Sequence, residues 1–396
     1  MWQSTETEHL HLLTMKFRIL KIVLLGYISG VGLNAADTPA PSNEPAPKKA
    51  VVVDEDTPKP QPAEKTTPKV DPGIPEEPKA ASPEILLPKE RDEAVRLQIF
   101  LDQKFFGPGI IDGKPGMFTK LAIENYNTSQ GREKTDMRVI AEATVGVKDI
   151  YATAIIPSFV DKYVDASLPT KRSAQAGKKY MSYRSVAEFM AERYHTSEDL
   201  LIELNDAKTM RNAAARKAIK VPNIVPFKIE DLKTGRSHKL EINLTARHVV
   251  VDTNTKQVYI YQLIIPSDDE QGGAVKVNST RPKLVASFPI TPGQLRFIPK
   301  GVWNLKNSVE LPEWRYDKKL LETGVRGKEY LTIPPGPNNP VGIIWNGLTK
   351  SGIGIHGTNN PRTIGRARSA GCIRLSNWDA ARFPTLVRPG AVVKIK

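Results

Sequence analysis

Thirteen of the chain's 32 prolines lie between Asp37 and Pro88, mixed with Lys, Glu, Ala and Thr. Proline fixes φ and removes a backbone donor, and this composition buries too little apolar surface to offset its ordering entropy. Residues 37–88 therefore read as an extended, disordered linker, and compact structure is expected to start at Arg91. A proline-rich ligand for another domain is the alternative reading of the same composition. The chain of 396 residues is 40% hydrophobic and 25% charged, a globular balance, and beyond the linker it is long enough for more than one module.

Ahead of the linker, Met15 opens a stretch with Lys16, Arg18 and Lys21, followed by the apolar run Ile22–Val31 and the small residues Ala35 and Ala36. A positive start, a short apolar stretch and a small-residue site describe a signal peptide over residues 1–36, with translation starting at Met15 and cleavage after Ala35 or Ala36. The apolar run is shorter than the roughly 20 residues that span a bilayer, so a retained anchor is the weaker reading. The protein is expected to be exported to the periplasm or cell envelope, touching the membrane only transiently through its leader. That leader holds no Cys, which excludes a lipid-modified N-terminus.

The formal net charge is +14, and Arg247–Lys396 alone carries 22 Lys+Arg against 10 Asp+Glu. A basic C-terminal region suits an anionic partner. No RNP, zinc-finger or helix-turn-helix pattern points to nucleic acid, which leaves a membrane surface or an anionic wall polymer. The chain has one cysteine, Cys372, so no intramolecular disulfide forms. A lone thiol is either a small buried hydrophobe or a reactive group.

From Arg91 the pattern turns helical. Val95, Leu97, Phe100, Leu101 and Phe105 predict an amphipathic helix over 93–105, which Gly107-Pro-Gly109 ends. After the turn at Ile111-Asp-Gly113, a second helix carries Phe118, Leu121, Ala122 and Tyr126. Further on, Tyr183–Val186, Ala187–Tyr194, Ser197–Leu200 and Val221–Ile224 read as strand, helix, helix and strand. From His248 the signal is β: Val249–Val251, Gln257–Tyr261, Leu284–Ile290, Gly301–Leu305, Val341–Trp345, Ile353–Ile355 and Ala391–Ile395, with a hairpin turn at Asp252–Thr255. The fold class expected is multidomain: a mainly β sandwich or barrel at the C-terminus, preceded by small helical and α+β modules.

The chemistry is concentrated near the end of the chain, in Ile353-Gly-Ile-His-Gly-Thr358 and Ser369-Ala-Gly-Cys-Ile-Arg-Leu375. A thiol with an ordinary pKa of about 8.5 needs a base or a positive environment to act as a nucleophile. His356 sits at a predicted strand end, and Arg374, Arg366 and Arg368 supply charge. Gly371 permits close approach and a turn whose N–H groups could face an oxyanion. From the residues alone, a buried structural cysteine beside a core histidine stays equally open. No metal is implied, since His195, His238 and His248 lack ligand spacing and no second Cys exists. No cofactor is expected either.

These residues resemble the catalytic domain of the YkuD L,D-transpeptidases: His-Gly-Thr, a spacer, then Ser-x-Gly-Cys-Ile-Arg, over residues 247–396. Ala370 departs from the commoner form, in which a second His stands there. The resemblance implies an enzyme of peptidoglycan stem peptides, with Cys372 as nucleophile, His356 as base and the Gly357 carbonyl orienting the imidazole. Backbone N–H groups of Gly371 and Cys372 would form the oxyanion hole, and Ser369 would bond within the catalytic loop. Arg374 would fix that loop or meet a substrate carboxylate, with an ion pair to Asp379 as the bland alternative. The Cys–His pair is expected to titrate as a unit, with thiolate forming well below pH 8.5. An L,D-carboxypeptidase on the same scaffold, or a non-catalytic wall-binding protein, are the competing functions. Upstream, residues 91–132 resemble a small helical peptidoglycan-binding module, and residues 178–228 a LysM-like glycan binder without the glycine-rich turn. Both would serve localisation, leaving a chain from Arg247 active by itself on soluble stems.

Overall fold

The structure is a computed structural model and describes residues 84–263, 282–294, 297–366 and 371–396. The expected signal peptide and the proline-rich segment up to residue 83 lie outside the described residues, as do Arg368, Ser369 and Ala370. Packed structure begins ahead of Arg91: Ile85 is buried with the apolar side chains of the first helices.

Three helices open the described chain: α1 (Arg91–Gln103), α2 (Met117–Ser129) and α3 (Arg138–Gly146). Their shared core holds Val95, Leu97, Ile99, Leu101, Ile123 and Val139. Helix α1 stops two residues short of the expected Phe105, which takes a left-handed φ of 64°. The turn after it is tied back by Gln98, whose Oε1 accepts from the backbone N–H groups of Asp112 at 3.1 Å and Gly113 at 2.9 Å. Gly113 has φ 69°, and a Cβ there would lie 2.5 Å from Arg91 Cγ, so the turn depends on glycine.

An α+β segment follows: β1 (Tyr151–Ile155), α4 (Arg172–Ala176), α5 (Val186–Arg193), α6 (Glu198–Asn205), α7 (Ala207–Arg211) and β2 (Ala218–Pro222). The two expected helices form as α5 and α6, but the partner of β2 is not the expected Tyr183–Val186. It is β1, antiparallel from Tyr151↔Pro222 to Ile155↔Ala218. The physical reason is local. Ser185 caps α5 by accepting from Glu188 N–H, while Tyr183 is buried edge-on to Phe189 and donates its hydroxyl to Glu192.

After a short α8 (Ile242–Thr245), the chain enters β3 (His248–Asp252), β4 (Gln257–Gln262), β5 (Lys283–Pro289) and β6 (Gly301–Glu310). Next come β7 (Trp314–Tyr316), α9 (Lys318–Thr323), β8 (Leu331–Ile333), β9 (Ile344–Leu348) and β10 (Gly354–His356). The last elements are β11 (Ile373–Arg374), α10 (Asn377–Leu386) and β12 (Val392–Ile395). Eight strands make one sheet in the order β11-β10-β9-β6-β12-β3-β4-β5, and β7 pairs separately with β8. The predicted turn joins β3 to β4, with Asp252 Oδ1 accepting from Asn254 and Thr255 N–H groups. Just beyond β5, Thr291 exchanges backbone hydrogen bonds of 2.9 and 3.0 Å with Arg374 in β11. The sheet thus curls until its two ends meet, a partly closed form of the barrel that the strand pattern predicts.

The helical, α+β and β regions share packing. One core cluster runs from Tyr183, Phe189 and Val221 to Ile355, Trp378 and Val393. Asp102 of α1 forms a bidentate pair with Arg382 of α10 at 2.7 and 2.9 Å, against His195, whose ring stacks on Trp378. Burial acts against the Asp102 charge, yet Arg382 and His195 hold its carboxyl well below the usual range. Among the described residues, no helix is long and apolar enough to cross a membrane.

Candidate active site

The two ends of the motif meet through strand register. Strand β10 pairs with β11 in parallel, Ile355 opposite Ile373 and His356 opposite Arg374. Ile355 and Ile373 are fully buried on one face. Side chains alternate along a strand, so His356 and Arg374 share the other face, and Cys372, two residues before Arg374, falls on that face too. His356, Gly371, Cys372 and Arg374 line one cavity of about 970 Å³.

Strand β9 fixes the imidazole from the other side. Trp345 lies opposite His356 in the antiparallel β9–β10 register, and the two rings stack at 5.5 Å with 19° between planes. Gly354 makes room, since a Cβ there would meet Trp345 at 2.8 Å. His356 Nδ1 lies 2.7 Å from Gly357 O. A carbonyl only accepts, so Nδ1 carries the hydrogen and Nε2 keeps the lone pair. His356 is 3% exposed. Burial, then the charge of Arg374, hold its pKa down to about 3, against the carbonyls of Gly357 and Val341. The ring is neutral near pH 7.

Cys372 is half-buried, with Sγ 3.6 Å from Gly352 O. Burial pushes its thiol up, outweighing the Gly354 N–H and the Arg374 charge, which favour thiolate. The resting pair is therefore neutral thiol with neutral imidazole. The early thiolate anticipated from sequence does not fit this site, because removing both groups from water disfavours the two charges that an ion pair would need.

Backbone crowding explains several glycines. A Cβ on Gly293 would lie 2.6 Å from Gly371 Cα, so the Thr291-Pro-Gly293 segment crosses Gly371 backbone to backbone. Gly342 and Gly357 are both pressed against Asn377, whose Oδ1 would lie 2.2 Å from a Cβ on either. Asn377 begins α10, and its Oδ1 accepts from Ile343 N–H at 3.3 Å and Thr358 N–H at 3.2 Å. Its amide nitrogen donates to both oxygens of Glu192 in α5, at 3.1 and 3.0 Å. A side chain of the α+β segment thus holds the residue that braces the loops on both sides of His356. Glu192 carries no recognisable signal in sequence, whereas Asn377 lies five residues after Cys372.

The remaining candidates separate. Arg374 makes no ion pair with Asp379 among the described residues. Asp379 instead lies 3.8 Å from Arg382 and accepts from the Ser376 hydroxyl. Arg366 is exposed and does not line the cavity, and Ser369 lies outside the described residues. The cavity also draws on residues not anticipated: Arg172 of α4, Thr234 and Gly235 from the approach to the sheet, and Trp314, Arg315 and Asp317 around the β7–β8 pair.

The curled, mainly β sheet thus turns a cysteine and a histidine toward one cavity, both on backbone held by neighbouring strands. Residues 238–395 match the YkuD family, described as the L,D-transpeptidase catalytic domain, a match that starts nine residues before the sequence-derived boundary. A Bacillus licheniformis protein named for the L,D-transpeptidase YkuD is 43% identical over 79 residues, covering 19% of this chain and 47% of that one. The ErfK/SrfK protein of Escherichia coli K12, named as an L,D-transpeptidase, is 32% identical over 174 residues, covering 41% of this chain and 55% of its own length. The chain thus spans about half the length of these curated relatives. Among solved structures, L,D-transpeptidase 3 from Mycobacterium tuberculosis aligns at 13% identity and TM-score 0.26, covering 46% of this chain and 76% of that one.

Proposed function

We propose that this protein is an exported peptidoglycan L,D-transpeptidase that works through an acyl-enzyme on Cys372. The observation that carries this reading is the β10–β11 register, which turns Cys372 and His356 toward the same cavity inside a matched YkuD domain. The donor is a stem tetrapeptide and the acceptor an amine. Because the thiol is raised and the imidazole lowered, proton transfer accompanies attack rather than preceding it. As Sγ bonds to the carbonyl carbon of the third stem residue, the thiol proton passes to His356 Nε2, with Nδ1–H held by Gly357. The N–H groups of Gly371 and Cys372 receive the oxyanion. His356 then protonates the departing nitrogen of the terminal D-amino acid, leaving a thioester. In the second half, His356 takes a proton from the acceptor amine as it attacks that thioester, and Sγ leaves as the thiol. Arg374 adds positive charge to the cavity. The regions over residues 91–132 and 178–228 add contacts to peptidoglycan glycan.

The test is mass analysis after incubating the full chain with tetrapeptide stems. A crosslinked dimer, absent with Cys372→Ala, is the expected result. Tripeptide without dimer would assign an L,D-carboxypeptidase, with water as acceptor. No turnover of stems and no labelling of Cys372 by a thiol probe would leave only a wall-binding protein.

A further inference from the structure

Of the arginines that line the Cys372 cavity, Arg315 and Arg326 are exposed, while Arg172 and Arg374 are half-buried and make no ion pair among the described residues. Arg374 lies on β11, and its Nε is buried with no hydrogen-bond partner. Arg172 comes from α4, upstream of the matched domain, which begins at residue 238. It is held entirely by neutral groups: its Nη1 donates to Gln175 Oε1 at 2.6 Å, and its guanidinium lies 5.5 Å from the Trp314 ring centre. Gln175 is itself buried and donates to Pro169 O at 2.8 Å, so the mount is rigid. Elsewhere in the described residues the buried Arg193 and half-buried Arg382 are paired with acids, Glu230 at 2.9 Å and Asp102 at 2.7 Å, while the half-buried Arg184 and Arg247 donate to backbone carbonyls. Arg172 and Arg374 have no acid partner within 4.0 Å among the described residues. The acids that also line the cavity are committed or distant: Asp317 accepts from Leu320 and Gly327 N–H groups, and Glu313 is exposed and makes no ion pair among the described residues.

Two like charges in a partly desolvated wall are costly unless an anion completes them. Burial holds both guanidiniums below their ordinary pKa, and the charge of Arg172 adds to that effect on Arg374. A carboxylate between them would gain charge-assisted hydrogen bonds from both planar forks.

We infer that Arg172 and Arg374 together form a carboxylate-binding subsite beside Cys372, so that the α+β segment selects donor peptides carrying a free carboxylate next to the attacked carbonyl. The inference deepens the proposed transpeptidase reading and rests on it for the identity of the donor. Two donor carboxylates meet the description: the C-terminal one, which departs with the leaving group, and one on the third-residue side chain, which stays on the enzyme.

The experiment uses the full chain and three synthetic tetrapeptide donors: one fully acidic, one amidated at the C-terminus and one amidated at the third-residue side chain. Acyl-enzyme formation is followed by intact-protein mass for wild type and Arg172→Gln. Wild type is expected to lose about tenfold to a hundredfold in rate on amidation of one of the two positions, which identifies the bound group. Arg172→Gln should lose a similar factor with the acidic donor and then be indifferent to that same amidation. Alkylation of Cys372 by neutral iodoacetamide, and the melting temperature, should match wild type and so exclude misfolding. An Arg172→Gln variant that keeps the full wild-type amidation penalty, or a wild type indifferent to both amidations, overturns the subsite. Binding of the same donors to Cys372→Ala with and without Arg172→Gln, by calorimetry, separates the two claims. Arg172-dependent binding of the acidic donor without acylation would sink the transpeptidase reading and keep the subsite. Acylation that ignores Arg172 would do the reverse, and binding that ignores Arg172 without acylation, or neither acylation nor binding, overturns both.

Discussion

At Cys372 and His356 the decisive quantity is the difference between solvation and pairing. A thiol and an imidazole in water would share a proton with modest bias, but here burial pushes the thiol up and the imidazole down. Alkylation of Cys372 by iodoacetamide should therefore titrate at or above the free-thiol value of about 8.5. A titration midpoint below about 7 would mean that the resting site holds an ion pair after all. Cys372→Ala and Cys372→Ser should each abolish the acyl-enzyme seen by intact mass while leaving the melting temperature within a few degrees, since the side chain is half-buried and small. The sequence exposed this pair because residue types and spacing survive in one dimension. It could not expose the protonation state, which depends on Trp345 stacked against the ring and on a cavity wall gathered from distant segments.

At the scale of elements, α5 and α10 are joined by Glu192 and Asn377. Removing the Asn377 side chain would leave Ile343 and Thr358 N–H groups without their acceptor and Glu192 with Tyr183 as its remaining donor. Asn377→Ala is expected to cost about 2–4 kcal/mol of stability by denaturant unfolding, and to lower turnover more than donor KM because the loops around His356 loosen. Glu192 also gives the fold a pH dependence. Burial pushes its carboxyl up to about 8, against hydrogen bonds from Tyr183 and Asn377, with the Glu188 charge adding to the rise. Its folded pKa exceeds the ordinary 4.5, so the folded state holds the proton more tightly. The associated stability is complete below about pH 4.5 and falls as pH rises toward 8. Asp379, pushed up by burial to about 7, acts in the same direction. Melting temperatures recorded from pH 5 to 9 should thus decline less steeply for Glu192→Gln than for wild type. Equal slopes would show that Glu192 is already ionised in the folded protein. Helix periodicity marked α1 and α2 well because their apolar faces are local. The strand β1 escaped notice because five residues with mixed burial carry little pattern, and its pairing with β2 spans more than sixty residues of chain.

For the whole molecule, the expectation that residues 247–396 act alone meets a core shared with the upstream segments. A chain beginning at Arg247 would lose Asp102 from Arg382, Glu192 from Asn377 and Arg172 from the cavity. It would also uncover one side of the cluster that holds Val251, Ile355 and Trp378. Such a chain is expected to lack a cooperative thermal transition and to leave Cys372 open to alkylation by bulky maleimides that the full chain excludes. A cooperative melt with full activity on soluble stems would restore the simpler division of labour. The eight-stranded sheet explains why the β segments were legible in sequence while their assembly was not. Each strand announces itself by β-branched alternation, but the closure through Thr291 and Arg374 joins residues far apart in the chain.

The sequence by itself singled out the candidate site: one thiol, a histidine sixteen residues earlier and glycines beside both, read together with the strand pattern as a YkuD-like catalytic domain. These are short-range properties, and a single chain segment suffices to state them. Tertiary structure decided that β10 and β11 run in parallel register, that the imidazole rests neutral, and that Arg172 and Glu192 reach the site from outside the matched domain. Register, desolvation and the pairing of buried charge arise only when distant segments exclude water together, and no local pattern of residues encodes which segments those will be.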